Sequence, residues 1–145
     1  MPTVAEVMAQ LADSARQPTA LVLSRLSDLS AGDAQRFEEL WPGLAVVRRR
    51  QVIRQLVAQA EAQVDLNFHR VFKACLKDPD ETVRLKAIEG LWECHQPSLI
   101  EPLIGVLRDD PAPAVRAAAA RSLGASVLLA ELGKLPPRYG GQLEE

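Results

Sequence analysis

The sequence predicts an all-α fold, an α-solenoid (superhelix) of about eight to nine helices paired as antiparallel hairpins. Three observations predict it. Apolar residues recur at helical spacing almost throughout, prolines fall between the periodic segments, and part of the chain repeats itself at an offset of 32 positions. No stretch alternates polar and apolar residues with period two, as a half-buried strand would.

The first helix is predicted over 4–16, opened by Thr3 with Glu6, whose side chains can close a capping box on free backbone N–H groups. Pro18 then separates a helix over 19–29 from one over 31–41, and Pro42 precedes the longest, over 44–62. In that one Ile53, Leu56, Val57 and Ala60 form a single apolar stripe; Phe68, Phe72, Cys75 and Leu76 form another in a helix over 66–77. Asp80 ahead of Glu81 opens a helix over 81–94, and Ser98 with Glu101 one over 99–108. After Pro111 and Pro113 come helices over 113–124 and 126–133, the last apolar nearly all round. The connections are so short that neighbouring helices must pack antiparallel.

Self-similarity organises these helices. Asp78-Pro79, Val83-Arg84, Ala87 and Leu91 reappear 32 positions later as Asp110-Pro111, Val115-Arg116, Ala119 and Leu123. A fainter copy lies 35 positions upstream, where Arg49, Ile53 and Leu56 correspond to Arg84, Ile88 and Leu91. Such periods belong to two-helix units, which stack because one hairpin cannot bury its own apolar face. An Asp-Pro turn followed by Val-Arg, then alanine and leucine at helical spacing, resembles the HEAT repeat and its phycobilisome-lyase-like relatives. The resemblance is best over 65–124, partial over 31–64 and absent over 1–30. It implies a divergent helical cap over 1–30, HEAT-like repeats at 31–64, 65–97 and 98–135, and a flexible tail over 136–145, all in a single structural domain.

The spacing of an arginine seven residues before a core leucine places Arg49, Arg84 and Arg116 on the apolar stripes of their helices. Buried guanidinium groups need hydrogen-bonding partners. The resemblance implies those partners, a structural ladder in which each arginine bonds a turn aspartate of its own or the adjacent repeat; Asp78 and Asp110 (or Asp109) stand at the matching positions. The remaining basic run, Arg48, Arg50 and Arg54, lies in a segment (44–64) of net charge +3 that follows 43 residues of net charge −3, and pairing with that acidic first third is expected.

The chemistry-bearing residues are sparse. His69, Cys75, Cys94 and His95 lack the ligand spacing of zinc knuckles, and Cys75 falls in an apolar stripe. Cys94 beside His95 makes no nucleophile–base pair, because adjacent side chains on a helix diverge by about 100°. No metal, cofactor or catalytic residue is expected. Trp41 and Trp92 each close a helix and are expected to pack inward. Should Trp92 reach the surface, it falls on the helix that lines the concave side in HEAT-like solenoids, and the resemblance then implies a partner-binding face of Leu85, Lys86, Glu89 and Trp92 with Ala117, Ala120 and Arg121.

The expected function is a non-enzymatic protein–protein interaction or scaffold module, with a protein partner of unspecified identity. The alternatives are an accessory subunit of a bilin-lyase-like enzyme and a HEAT-like nucleic-acid-binding protein. The formal charge of −2 and six aromatic residues disfavour nucleic acid. The absence of a membrane-length apolar run and the acid at Glu6 suggest a cytoplasmic protein without a membrane segment. The apolar C-terminal helix offers a surface for a homodimer.

Overall fold

The structure is a computed structural model that describes residues 3–92 and 96–131, with side chains as far as Ala125. The described residues are all-helical: α1 (Val4–Ala12), α2 (Ala20–Ser24), α3 (Ala31–Leu40), α4 (Val46–Ala62), α5 (His69–Cys75), α6 (Glu81–Gly90), α7 (Ile100–Asp109) and α8 (Pro113–Glu131), with single 3-10 turns at Trp41–Gly43 and Pro97–Leu99. They fall into two compact units, Met1–Gly90 and Leu91–Glu145. The expected single domain thus meets a boundary inside the stretch assigned to one repeat, 65–97.

In the first unit alternate helices touch. One row runs from α1 to α3 to α5 and the other from α2 to α4 to α6, with α5 and α6 closing a hairpin. Between the rows lie fully buried Leu23, Phe37, Ile53, Leu56, Phe72 and Ile88. Burying such side chains contributes roughly 1.5–3 kcal/mol each, the main force holding the rows together. The first 30 residues, which lack the repeat pattern, supply Val7, Met8, Leu11 and Leu26 to the buried set. In the second unit α7 packs against α8, burying Leu103, Val115 and Ala119.

Several helix ends follow local chemistry. Thr3 Oγ1 accepts from Glu6 N–H at 3.1 Å and Glu6 answers at Thr3 N–H, the capping box expected for α1. Thr19 and Ser30 cap α2 and α3 in the same way. Others depart from expectation for tertiary reasons. The helix expected over 19–29 stops at Ser24 because the next residues are tied elsewhere: Asp28 N–H donates to Asn67 O at 2.8 Å, and Ser27 Oγ accepts Asn67 N–H at 2.8 Å. Asp28 adopts a φ of 55° there, a left-handed conformation that aspartate tolerates better than most residues. The same bonds delay α5 to His69, whose N–H is taken by Asn67 Oδ1.

The expected Ser98 cap is replaced by the 3-10 turn Pro97–Leu99, and α7 begins after Leu99 without a side-chain cap. The separate helices expected over 113–124 and 126–133 form one helix to Glu131. Gly124 costs a helix only about 1 kcal/mol and no proline follows it there, so the run continues. The tail expected over 136–145, like Cys94 and His95, lies outside the described residues.

Two glycines test this packing with opposite signs. A Cβ built on Gly90 would stand 2.5 Å from two ring carbons of buried Phe72, whereas one on Gly105, inside α7, meets open space. Gly90→Ala is expected to destabilise the protein by about 1–3 kcal/mol. Gly105→Ala is expected to stabilise it by about 0.5–1 kcal/mol. Urea denaturation measures both; equal effects would contradict the close approach at Gly90.

Candidate functional site

The turn between α5 and α6 organises the polar interior of the first unit. Asp78 is buried, and every polar group it carries is engaged. Its Oδ2 accepts Trp41 Nε1–H at 2.7 Å and Arg49 Nε–H at 2.9 Å. Its Oδ1 accepts Asp80 N–H at 2.8 Å, with an Arg49 terminal nitrogen at 3.5 Å. Its carbonyl accepts from Arg84 at 2.9 Å, and its own N–H donates to Cys75 O at 3.1 Å. One residue therefore links the end of α3, the start of α4, the end of α5 and the first turns of α6. Arg49 spends its third contact on Leu44 O, at 2.6 Å.

Part of this turn recurs in the second unit with the same atoms. Asp110 Oδ1 accepts Ala112 N–H at 2.9 Å, and Arg116 donates to Asp110 O at 2.7 Å, each bond displaced by 32 positions from its counterpart at Asp78. The aspartate side chain mimics one turn of backbone, and the arginine ties down a carbonyl of the turn that precedes its helix. Of the two aspartates eligible by sequence, Asp110 occupies this position; Asp109 is exposed beside Arg108. Arg49 and Arg84 are buried, while Arg116 is half-buried.

The basic run behaves differently from expectation. Arg48 reaches the first third of the chain, but through the backbone carbonyls of Asp13 (3.1 Å) and Arg16 (2.8 Å) rather than through acids. Arg50 pairs with Asp80, at 3.0 and 2.6 Å, on the α6 side. Arg54 is exposed. Two of the four arginines of 44–64, Arg49 and Arg50, are thus paired with aspartates further along the chain, Asp78 and Asp80, rather than with the acidic first third.

Of the possible reactive groups, Cys75 is fully buried, and burial pushes its thiol well above the usual range. His69 is half-buried, and desolvation lowers its pKa against an opposing pull from Asp28. Among the described residues no three His, Cys, Asp or Glu side chains gather to hold a metal ion. Beside the Asp78 turn lies a half-open groove of about 270 Å³, lined by Glu38, Trp41, Pro42, Ala74, Lys77, Pro79 and Asp78 itself.

The residues expected to face a partner are found as follows. On α6, Leu85 is half-buried and Lys86 pairs with Glu89 at 2.9 Å, so these two present a neutral ion pair rather than free charges. In the second unit Ala117, Ala120 and Arg121 are exposed on α8. The two tryptophans part company: Trp41 is 4% exposed and stacks on Phe37 at 5.1 Å, as expected, whereas Trp92 is 47% exposed. The inward packing expected of Trp92 does not occur. Sequence reasoning missed the indole N–H of Trp41 as a ligand of Asp78; the only available hint was a tryptophan at a helix end directly before a proline.

An all-helical repeat protein with buried turn aspartates and arginines is the class these features define. Residues 70–134 match the family model described as HEAT repeats, and this segment of the chain is similar to them. No curated protein and no solved structure matches the chain. HEAT repeats generally mediate protein–protein interaction or scaffolding. No helix among the described residues is long and apolar enough to cross a membrane.

Asp80 offers a pH test of the turn. It accepts Val83 N–H at 3.1 Å at the start of α6, and the hydrogen bond from Arg50 holds its carboxyl below the ordinary 3.8, with some opposition from desolvation. The folded pKa lies below the unfolded one, so this stabilisation is complete above the unfolded value and fades as pH falls through the folded one. Asp80→Ala is expected to lower unfolding free energy by about 1 kcal/mol at neutral pH. Denaturation series should show the difference from wild type shrinking at pH values below about 3.8; a pH-independent difference would contradict the ionic role.

Proposed function

We propose that the chain is a non-enzymatic protein-interaction or scaffold module that holds its partner through the second helices of its repeats. The similarity of residues 70–134 to HEAT repeats supports this reading. The observation that carries it is Trp92, an indole left 47% exposed in a chain that buries its other tryptophan. Exposed tryptophan has large apolar area, little entropy to lose on binding and frequent use as an interface anchor. Leu85, Lys86 and Glu89 on α6, and Arg121 on α8, are the accompanying surface within their respective units. The buried charged residues Arg49, Asp78 and Arg84 serve the turn between α5 and α6. A net charge of −2 favours protein over nucleic acid as partner. The buried, unpaired thiol of Cys75 suits a reducing, cytoplasmic compartment. The expected homodimer surface over 126–133 rests on side chains outside the described residues.

Affinity capture from the native cell extract, quantified by mass spectrometry, tests this function. Wild-type protein is expected to retain a defined protein partner. Trp92→Ala should reduce its recovery by about tenfold or more while leaving stability within about 0.5 kcal/mol of wild type. Retention of no protein, or equal retention by the variant, would contradict the proposal.

A further inference from the structure

We infer that the exposed side of α5 and the groove beside it bind an acidic, partly apolar peptide segment of a partner protein. This deepens the interaction reading above by giving the partner a chemistry, and it uses a different surface, on the first helix of the repeat.

The inference begins with the disposition of cations. In the first unit Arg16, Arg36, Arg49, Arg50 and Lys86 are held in ion pairs. Arg48 is spent on backbone carbonyls and Arg84 on Asp78 O. By contrast Arg70, Lys73 and Lys77, like Arg54 on α4, are exposed, and among the described residues none of the four enters an ion pair. Arg70 and Lys73 lie on the face of α5 opposite buried Val71, Phe72 and Cys75, and Lys77 follows two residues beyond the helix end, in the turn that leads to Asp78. A cluster of uncompensated cations in a chain of net charge −2 is a local field that attracts carboxylates.

The groove supplies the second component. Lys77 lines it together with apolar Trp41, Pro42, Ala74 and Pro79; of the two acids in the lining, Asp78 has its carboxylate taken up by Trp41, Arg49 and the Asp80 N–H. Trp41 is held rigidly: it stacks on Phe37 and its N–H is fixed on Asp78. A volume of about 270 Å³ admits one or two apolar side chains and little more. Charge complementarity therefore selects a segment whose carboxylates lie along Arg70, Lys73 and Lys77 and whose apolar side chain enters beside Trp41. Glu38, also in the lining, argues against a continuous polyanion: a nucleic-acid backbone or anionic membrane surface would meet its carboxylate, whereas a peptide can turn an N–H toward it.

The test is selection from a displayed random-peptide library on the intact protein, followed by fluorescence anisotropy with the selected peptides. Three surface reversals, R70E/K73E/K77E, form the comparison variant, with its fold checked by circular dichroism. Enriched peptides should combine several Asp or Glu residues with an apolar one. They should bind the reversed variant about tenfold or more weakly, and wild type progressively more weakly as salt rises. No acidic enrichment, or equal binding to the variant, would overturn the inference. So would tighter, reversal-sensitive binding to oligo(dT) or to phosphatidylserine vesicles than to any selected peptide. Should the charge reversal unfold the protein, Lys77→Ala alone must weaken peptide binding measurably, and no effect would overturn it equally. The two readings fail separately: loss of all partner capture sinks the interaction function, whereas capture that depends on Trp92 but not on α5, together with a non-acidic peptide selection, sinks only this inference.

Discussion

The buried carboxylate of Asp78 is the constraint on which the first unit depends. A charge in that position is tolerable only if its desolvation is offset by direct donors, and the chain brings them from far apart: Trp41, 37 residues upstream, Arg49, 29 residues upstream, and the turn's own Asp80 N–H. Removing any donor leaves the others around an undersatisfied anion, so the segments that provide them cannot shift independently. The apolar rows supply most of the stabilisation, but apolar contacts are non-directional and leave helix register loosely specified. Asp78 makes the alignment specific, by fixing the end of α3, the entry to α4 and the start of α6 to a single carboxylate.

The second copy of the turn shows two bonds of this arrangement that recur. The aspartate closing its own turn and the arginine on the preceding carbonyl occur at both Asp78 and Asp110. At Asp78 the indole of Trp41 and the cross-link from Arg49 join these two bonds. Both copies thus carry the same local device, two hydrogen bonds at the entry into the second helix. Beside these turns the chain exposes a tryptophan in one unit and a cluster of unpaired cations in the other.

Much of this was legible in the sequence, for physical reasons that can be named. Helical periodicity identified the helices because a buried stripe must recur with the helix turn, and the offset of 32 identified the repeated turn because Asp-Pro and Val-Arg occupy positions that few residue types can fill. What escaped was non-local. Nothing in residues 19–29 announces that Ser27 and Asp28 will be taken by Asn67, nor in Arg50 that its acid lies at Asp80 rather than in the first third. The exposure of Trp92 and the isolation of Arg70, Lys73 and Lys77 depend on what fails to pack against them, which no local pattern encodes. Residues 113–131 show the opposite error: two helices were expected where one runs through Gly124, a modest local cost.

The measurement that tests the central claim most directly is a double-mutant cycle between Arg49 and Asp78, using Arg49→Met and Asp78→Asn in urea denaturation. If the buried pair fixes the register of the first unit, the two changes should be strongly non-additive, with a coupling energy of about 2 kcal/mol or more. Additivity to within about 0.5 kcal/mol would contradict the account, because the two groups would then contribute to stability independently of their contact.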